Sequence, residues 1–321
     1  MTRAVGIEQD EHMPFGLMVT GRKRPGGRSR RDLGGFVAWG LLAFCLSVGW
    51  ERPAAAETLQ ESSTSAEDKA DAIRSIPFDQ LTDETRAKLM PIISRPDLYR
   101  RLPVVAIESD PDFYLHLIRH PEVVVNIWHL MGITQINTRR VGEFQVDASD
   151  GAGTQSRIEL VYGTPTLHVM YAEGVYEGSL LRNRITGRCV MVLHSDYRAG
   201  ESGRTQVNNR LDVFMVVDQR SVGLVAKGLQ GMVGKAADHN FIETANFLGR
   251  LSRSAEENGI GVQQMANEME DVSPEIRREF AELAMLTHRR AQHRLESQLP
   301  RRAGSATIPS TVRASGIMES P

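Results

Sequence analysis

Side chains able to do chemistry are few in this sequence, and their spacing rarely brings them together. His239 and Glu243 stand four residues apart in a stretch that reads as helix, with Asp238 beside them. That spacing could supply two metal ligands or an acid–base pair. It is also the spacing of an ordinary surface ion pair, which is the plainer reading. His116, His120 and His129 are spread over two short helices and are expected on different faces, so no metal site is expected from them. His168 and Glu173 have opposite strand parity and should not share a face, whereas His194 and Asp196 share one, opposite Cys189, Met191 and Leu193. Cys189 reads as a core thiol, reactive only if a base lies beside it. Gly228 to Lys235 has the outline of a phosphate loop, but its first glycine comes one position too early and Ala236 stands where Ser or Thr is required. No catalytic residue, metal ligand or cofactor is therefore expected.

Composition narrows the classes. The 321 residues are 41% hydrophobic and 24% charged, which is ordinary for a globular chain. The net charge is −2. Residues 1–56 carry eight Lys/Arg against five Asp/Glu, a net of +3, which leaves −5 for the rest and argues against nucleic-acid binding. The two cysteines are Cys45 and Cys189, and only Cys189 lies outside the apolar leader, so neither an intramolecular disulfide nor a cysteine metal site is expected after processing.

The leader has three parts: a basic run (Arg22 to Arg24, Arg28 to Arg31), an uncharged, mainly apolar run from Leu33 to Trp50, and Ala54-Ala55-Ala56 before Glu57. This is the layout of a secretory signal over residues 1–56. Ser29-Arg30-Arg31-Asp32-Leu33 resembles a twin-arginine export motif, and both that route and general secretion stay open. Left uncleaved, residues 33–50 would be just long enough to anchor the chain in the inner membrane. The expected location is exported and periplasmic.

Residues 57–78 read as a flexible linker, rich in Ser, Glu, Asp and Ala. Thr82-Asp83-Glu84 starts a short helix to Met90, and a second is expected after Arg95-Pro96-Asp97. Leu102 to Ile107 reads as a first strand. Asp110-Pro111-Asp112 and His120-Pro121-Glu122 each open a helix. Strands are expected near 134–147, 155–163, 166–177, 186–198 and 204–218, joined by turns too short for crossover helices, so the sheet should be antiparallel. The last strand alternates, with Val207, Leu211, Val213, Met215 and Val217 on one face and Asn208, Arg210 and Asp212 on the other. A long helix, 221–253, follows with apolar residues three or four apart and glycines at 223, 228, 231 and 234, read as close packing or a thin wall beside a ligand. Two further helices fill 254–299, the last basic at its far end, and 300–321 reads as a disordered tail.

The order of strand, two short helices, antiparallel strands and long closing helix resembles the START-like (SRPBCC, polyketide cyclase-like) helix-grip superfamily over residues 102–253. Pro121 to Trp128 carries the likeness to its short helix, and Arg204 to Arg253 to its last strand and grip helix. The expected fold is thus α+β, a curved antiparallel sheet gripping a long C-terminal helix, within 79–253. Six strands are counted where the family usually has seven, which implies a hairpin near Gly174 or a cousin fold. The resemblance implies an apolar cavity between sheet and helix. Strand and helix parity would line it with Tyr162, Val169, Tyr171, Met191, Leu193, Met215, Leu229 and Val233. The expected partner is a hydrophobic small molecule or lipid, with peripheral membrane contact open through the basic spots and last helix. A cyclase- or hydrolase-like enzyme on the same fold and an envelope partner-binding protein are the alternatives.

Overall fold

A computed structural model describes residues 57–177, 184–200, 202–217 and 223–298, the side chains of 223–233 excepted. The expected leader (1–56) and tail (300–321) lie outside the described residues. The fold is α+β. Nine antiparallel strands, β1 (Glu57–Gln60), β2 (Leu98–Arg101), β3 (Val104–Glu108), β4 (Asn137–Gly142), β5 (Gln145–Ser149), β6 (Thr154–Gly163), β7 (Leu167–Tyr176), β8 (Ile185–Ala199) and β9 (Thr205–Val217), form one open sheet. Its order is β1-β3-β9-β8-β7-β6-β5-β4, and β2 also pairs with β9. Seven α-helices accompany it: α1 (Ala66–Arg74), α2 (Asp83–Ser94), α3 (Pro111–Arg119), α4 (Pro121–Leu130), α5 (Gly223–Glu257), α6 (Gly259–Asn267) and α7 (Pro274–Gln298).

Local chemistry sets the helix starts. Asp110 caps α3 by accepting from the amides of Asp112 and Phe113, and Pro111 occupies the first turn, where a missing N–H costs nothing. Thr82 and Ser65 cap α2 and α1 in the same way. Three local expectations need correction. The strand expected at 134–147 is a hairpin, β4–β5, folded between Gly142 and Gln145, and β7 runs unbroken through Gly174. The helix expected after Asp97 is strand β2, because Leu98–Arg101 find partners in Asp212–Met215 of β9. The helix expected to end at Met90 continues through Pro91 to Ser94.

The larger correction concerns the layers. The expected flexible linker at 57–78 contributes an edge strand, pairing with β3, and helix α1. Together with α2, α1 covers the face of the sheet that carries Asn208, Arg210 and Asp212. Ala72, Ile76, Leu89, Ile92 and Ile93 pack there on Val169, Val190, Val192 and Phe214. The other face meets α5 through Ala237 and Phe241, which lie on Cys189, Met191, Leu193, Leu211 and Val213. Farther along, α5 joins α3, α4, α6 and α7 in the largest cluster, around Phe113, Tyr114, Trp128, Phe247, Leu251 and Phe280. The basic end of α7 is docked: Arg290 binds Asp110 and Asp112, and Arg294 binds Glu256. Of the glycines at 223, 228, 231 and 234 in the long helix, Gly234 has its surroundings described: a Cβ there would lie 3.0 Å from the Arg100 guanidinium, which passes the helix to reach Asp238. Close packing therefore explains it. Asp238 is thus engaged, and His239 is exposed to solvent.

Beside this apolar packing, charge ties α1 to the sheet. Asp212, fully buried in β9, accepts from Tyr99 Oη at 2.7 Å and from Arg101 Nε at 2.8 Å. Arg101, itself buried, reaches on to Asp71 of α1 at 2.9 Å and to the carboxylate and carbonyl of Asp68. An ion pair of this kind is costly to break from one side, because the survivor is left charged and buried. Arg101→Met should therefore lower the unfolding free energy by about 3–5 kcal/mol in urea denaturation, with a similar loss for Asp212→Leu. The double variant should recover much of that loss.

Candidate ligand groove

One row of residues crosses five strands on the α5 face: Thr138, Ala148, Ser156, Gly174 and Gly187 are successive cross-strand partners. All are small. Side chains in register on one face share the space above it, so a row of small ones leaves that space empty. A groove of about 770 Å³ lies here, lined by these residues, by neighbours in β4 to β8 and by Asp271 from the α6–α7 connection. The next row on the same face is apolar, Val146, Ile158, Ala172 and Cys189. Ser156 is buried, and its Oγ has no hydrogen-bond partner in the protein.

Arg184 and Asp271 stand at the border of the groove. Arg139, Asp147, Arg157, Glu173 and Arg188 form a cross-strand row of alternating sign that alternates with the small row, so their backbone flanks the groove while their side chains point to the opposite face of the sheet. Arg157 clamps Asp147 with bonds of 2.7 and 3.0 Å, and those bonds hold the Asp147 carboxyl below the usual carboxylate range. No histidine stands among the described lining residues.

The residues expected to line one cavity divide between two faces. Met191 and Leu193 lie under α5, and Met215, paired with Cys189, shares their face. Tyr162, Val169 and Tyr171 lie on the opposite face with the α1–α2 layer. Leu229 and Val233 fall in α5, with side chains outside those described. None of the six whose side chains are described lines the 770 Å³ groove. Tyr171 lines a smaller hollow of about 210 Å³ beside Lys88 and Glu159. Two causes explain the division. A bulge between Leu160 and Tyr162 shifts the parity of β6. In β7 both faces are covered, so Leu167 to Ala172 carries no alternation to read.

Other candidates resolve simply. Cys189 is buried among apolar groups, which push its thiol up to about 12 and leave it inert. Tyr197 faces α3, edge-on to Tyr114, and donates to Pro165 O. His194 lies on the face covered by α1, its Nε2 3.0 Å from Ser75 Oγ. His168 is fully buried beside Leu193, with Arg119 Nε 3.4 Å from its Nε2 and no partner for Nδ1. The small-residue row was the signal that sequence reading missed: each of its five members is visible, but only strand register shows that they coincide.

No protein-family model matches the chain, and no curated protein matches it. Solved structures that it is similar to include a conserved protein from Geobacillus kaustophilus, at 14% identity over 46% of this chain and 97% of that one, TM-score 0.27. An uncharacterised protein from Rhizobium leguminosarum is similar at 12% identity over 46% and 96%, TM-score 0.28. Ara h 8.0201 is similar at 11% over 46% and 97%, TM-score 0.23. TM-scores this low carry no argument about this chain.

Burial, and then the Arg119 charge, push His168 down from 6.5 to about 4. The unfolded chain takes up a proton below pH 6.5 that the folded chain refuses until about 4. Stability is therefore full above 6.5 and falls as pH drops toward 4, by up to about 1.4 kcal/mol per pH unit for this one proton. The buried His116 and the half-buried His194 are lowered too and act in the same sense. Urea midpoints at pH 7 and pH 5 should show the fall, and His168→Gln should reduce it.

Proposed function

We propose that this chain is an exported binding protein of the helix-grip type, and that the groove over Thr138, Ala148, Ser156, Gly174 and Gly187 holds a small amphipathic molecule or lipid. The observation that carries the reading is the groove itself. About 770 Å³ falls within the size of small-molecule sites, and a buried hydroxyl without a partner, Ser156 Oγ, stands on its floor. A buried polar group left unpaired costs stability unless something completes it. The neighbouring row Val146, Ile158, Ala172 and Cys189 suits an apolar body. Arg184 and Asp271 at its border suit a polar head. This refines the wholly apolar cavity expected from sequence. The basic run, apolar stretch and Ala54-Ala55-Ala56 support export to the periplasm, with an inner-membrane anchor through 33–50 if the leader stays in place. Among the described residues no helix is long and apolar enough to cross a membrane.

Uptake of a fluorescent fatty acid by the full chain tests the reading. The wild type should bind with saturation, Ala148→Trp should block the groove and abolish binding, and Ser156→Ala should weaken it several-fold. Equal binding by Ala148→Trp and wild type would remove the groove from the account. N-terminal sequencing of the protein from the envelope fraction should give a start near Glu57 if the leader is cut.

A further inference from the structure

Away from the groove, the corner between α3 and α4 meets α7, and three potential metal ligands converge there. His116 lies in the last turn of α3, His120 is the residue between the two helices, and Glu279 comes from α7. One ligand atom from each lies within 4.8 Å of the others. His116 and His120 are four apart, a spacing that places both rings on one side of the corner, with ring centroids 4.5 Å apart. We propose that His116, His120 and Glu279 form a zinc site that ties α7 to the α3–α4 corner and leaves one coordination position open to solvent.

The ring of His116 is 93% buried, the complement of its 7% exposure, and its Nε2 has no hydrogen-bond partner. Its Nδ1 is 4.0 Å from Glu279 Oε2. Nδ1 is thus the nitrogen turned toward Glu279 and the ligand atom that His116 offers an ion.

His120 is set for the same task by its surroundings. Its Nδ1 lies 3.5 Å from Glu122 Oε1 and 3.3 Å from Arg140 Nη2. Arg140 Nη2 already donates to Arg119 O at 2.9 Å and to Glu122 Oε2 at 3.0 Å, so both of its hydrogens are committed. Nδ1 of His120 is occupied on the Arg140–Glu122 side, which leaves Nε2 as the atom that can meet the ion. A carboxylate behind a histidine ligand is the usual support of a zinc-bound imidazole. Arg140 also offsets the Glu122 charge, so the negative charge that faces the ion is that of Glu279.

Two nitrogens and one carboxylate oxygen suit zinc, which binds at about 2.0–2.2 Å. That bond length asks the ligand atoms to close to roughly 3.4 Å of one another. Glu279 can make the movement, because its side chain is 57% exposed.

The test uses the full chain, stripped with chelator and titrated with zinc chloride in a calorimeter, with cobalt(II) absorption as an independent readout. One ion per chain should bind, the melting temperature should rise, and cobalt should give the intense visible bands of a four-coordinate site. Glu279→Gln and His120→Gln should each weaken zinc at least ten-fold and lose the cobalt bands, while His239→Ala should leave both unchanged. Circular dichroism verifies that the variants fold; Glu279 is exposed enough for its substitution to be tolerated. Absence of zinc binding by the wild type, or binding unchanged in both folded variants, would overturn the proposal.

Discussion

The buried carboxylate of Asp212 governs how the rest of the chain can fold. It sits at the middle of β9, fully out of solvent, where Tyr99 and Arg101 bond to it and Arg210 pairs with it at 3.7 Å. Arg101 is in turn closed over by Asp68 and Asp71 of α1. A charged residue at the centre of the sheet thus obliges the N-terminal segment to return and cover it. Once α1 is pinned, α2 follows, and the apolar residues of that face find partners in Leu89, Ile92 and Ile93. Pinning by ion pairs of this kind favours one arrangement over others more than it adds net stability.

That constraint organises the proposed binding end. With both faces of the central strands covered, free volume is left where side chains are smallest, along Thr138 to Gly187 over β4 to β8. The α5 helix crosses the same face farther along, where Ala237 and Phe241 meet the sheet, and continues to the close packing of α3, α6 and α7. Rigid strands on the floor and dense packing beyond make a preformed site, which lowers the entropic cost of binding. The zinc site proposed above is at the point where α7 meets the α3–α4 corner. It would bear on the stability of the helical layer and not on the groove.

Much of this was legible in the residues. Period-two alternation in 205–217, short turns between strands and the Asp110-Pro111-Asp112 start led directly to the antiparallel sheet and to α3. The failures share a physical origin. Residues 57–78 look like linker because α1 is held by Asp68 and Asp71, and ion pairs leave no apolar periodicity to detect. Strand β7 has no readable parity because it is buried on both faces, so Tyr171 and Val169 were assigned to the wrong layer. The His116–His120 spacing is visible in sequence, but the proline between them and Glu122 suggests two separate helices with divergent faces. Only the tight corner brings the rings together, and Glu279, over 150 residues away, carries no sequence signal at all.

A small amphipathic molecule held at the sheet end should stay with the protein through purification. The most direct measurement is native mass spectrometry of the chain purified from its own cell envelope, followed by organic extraction. The account predicts a discrete added mass of a few hundred daltons or more, released into the organic phase and identified as a compound with an apolar body and a polar head. A chain of apo mass throughout, from cells in which it is abundant, would contradict it.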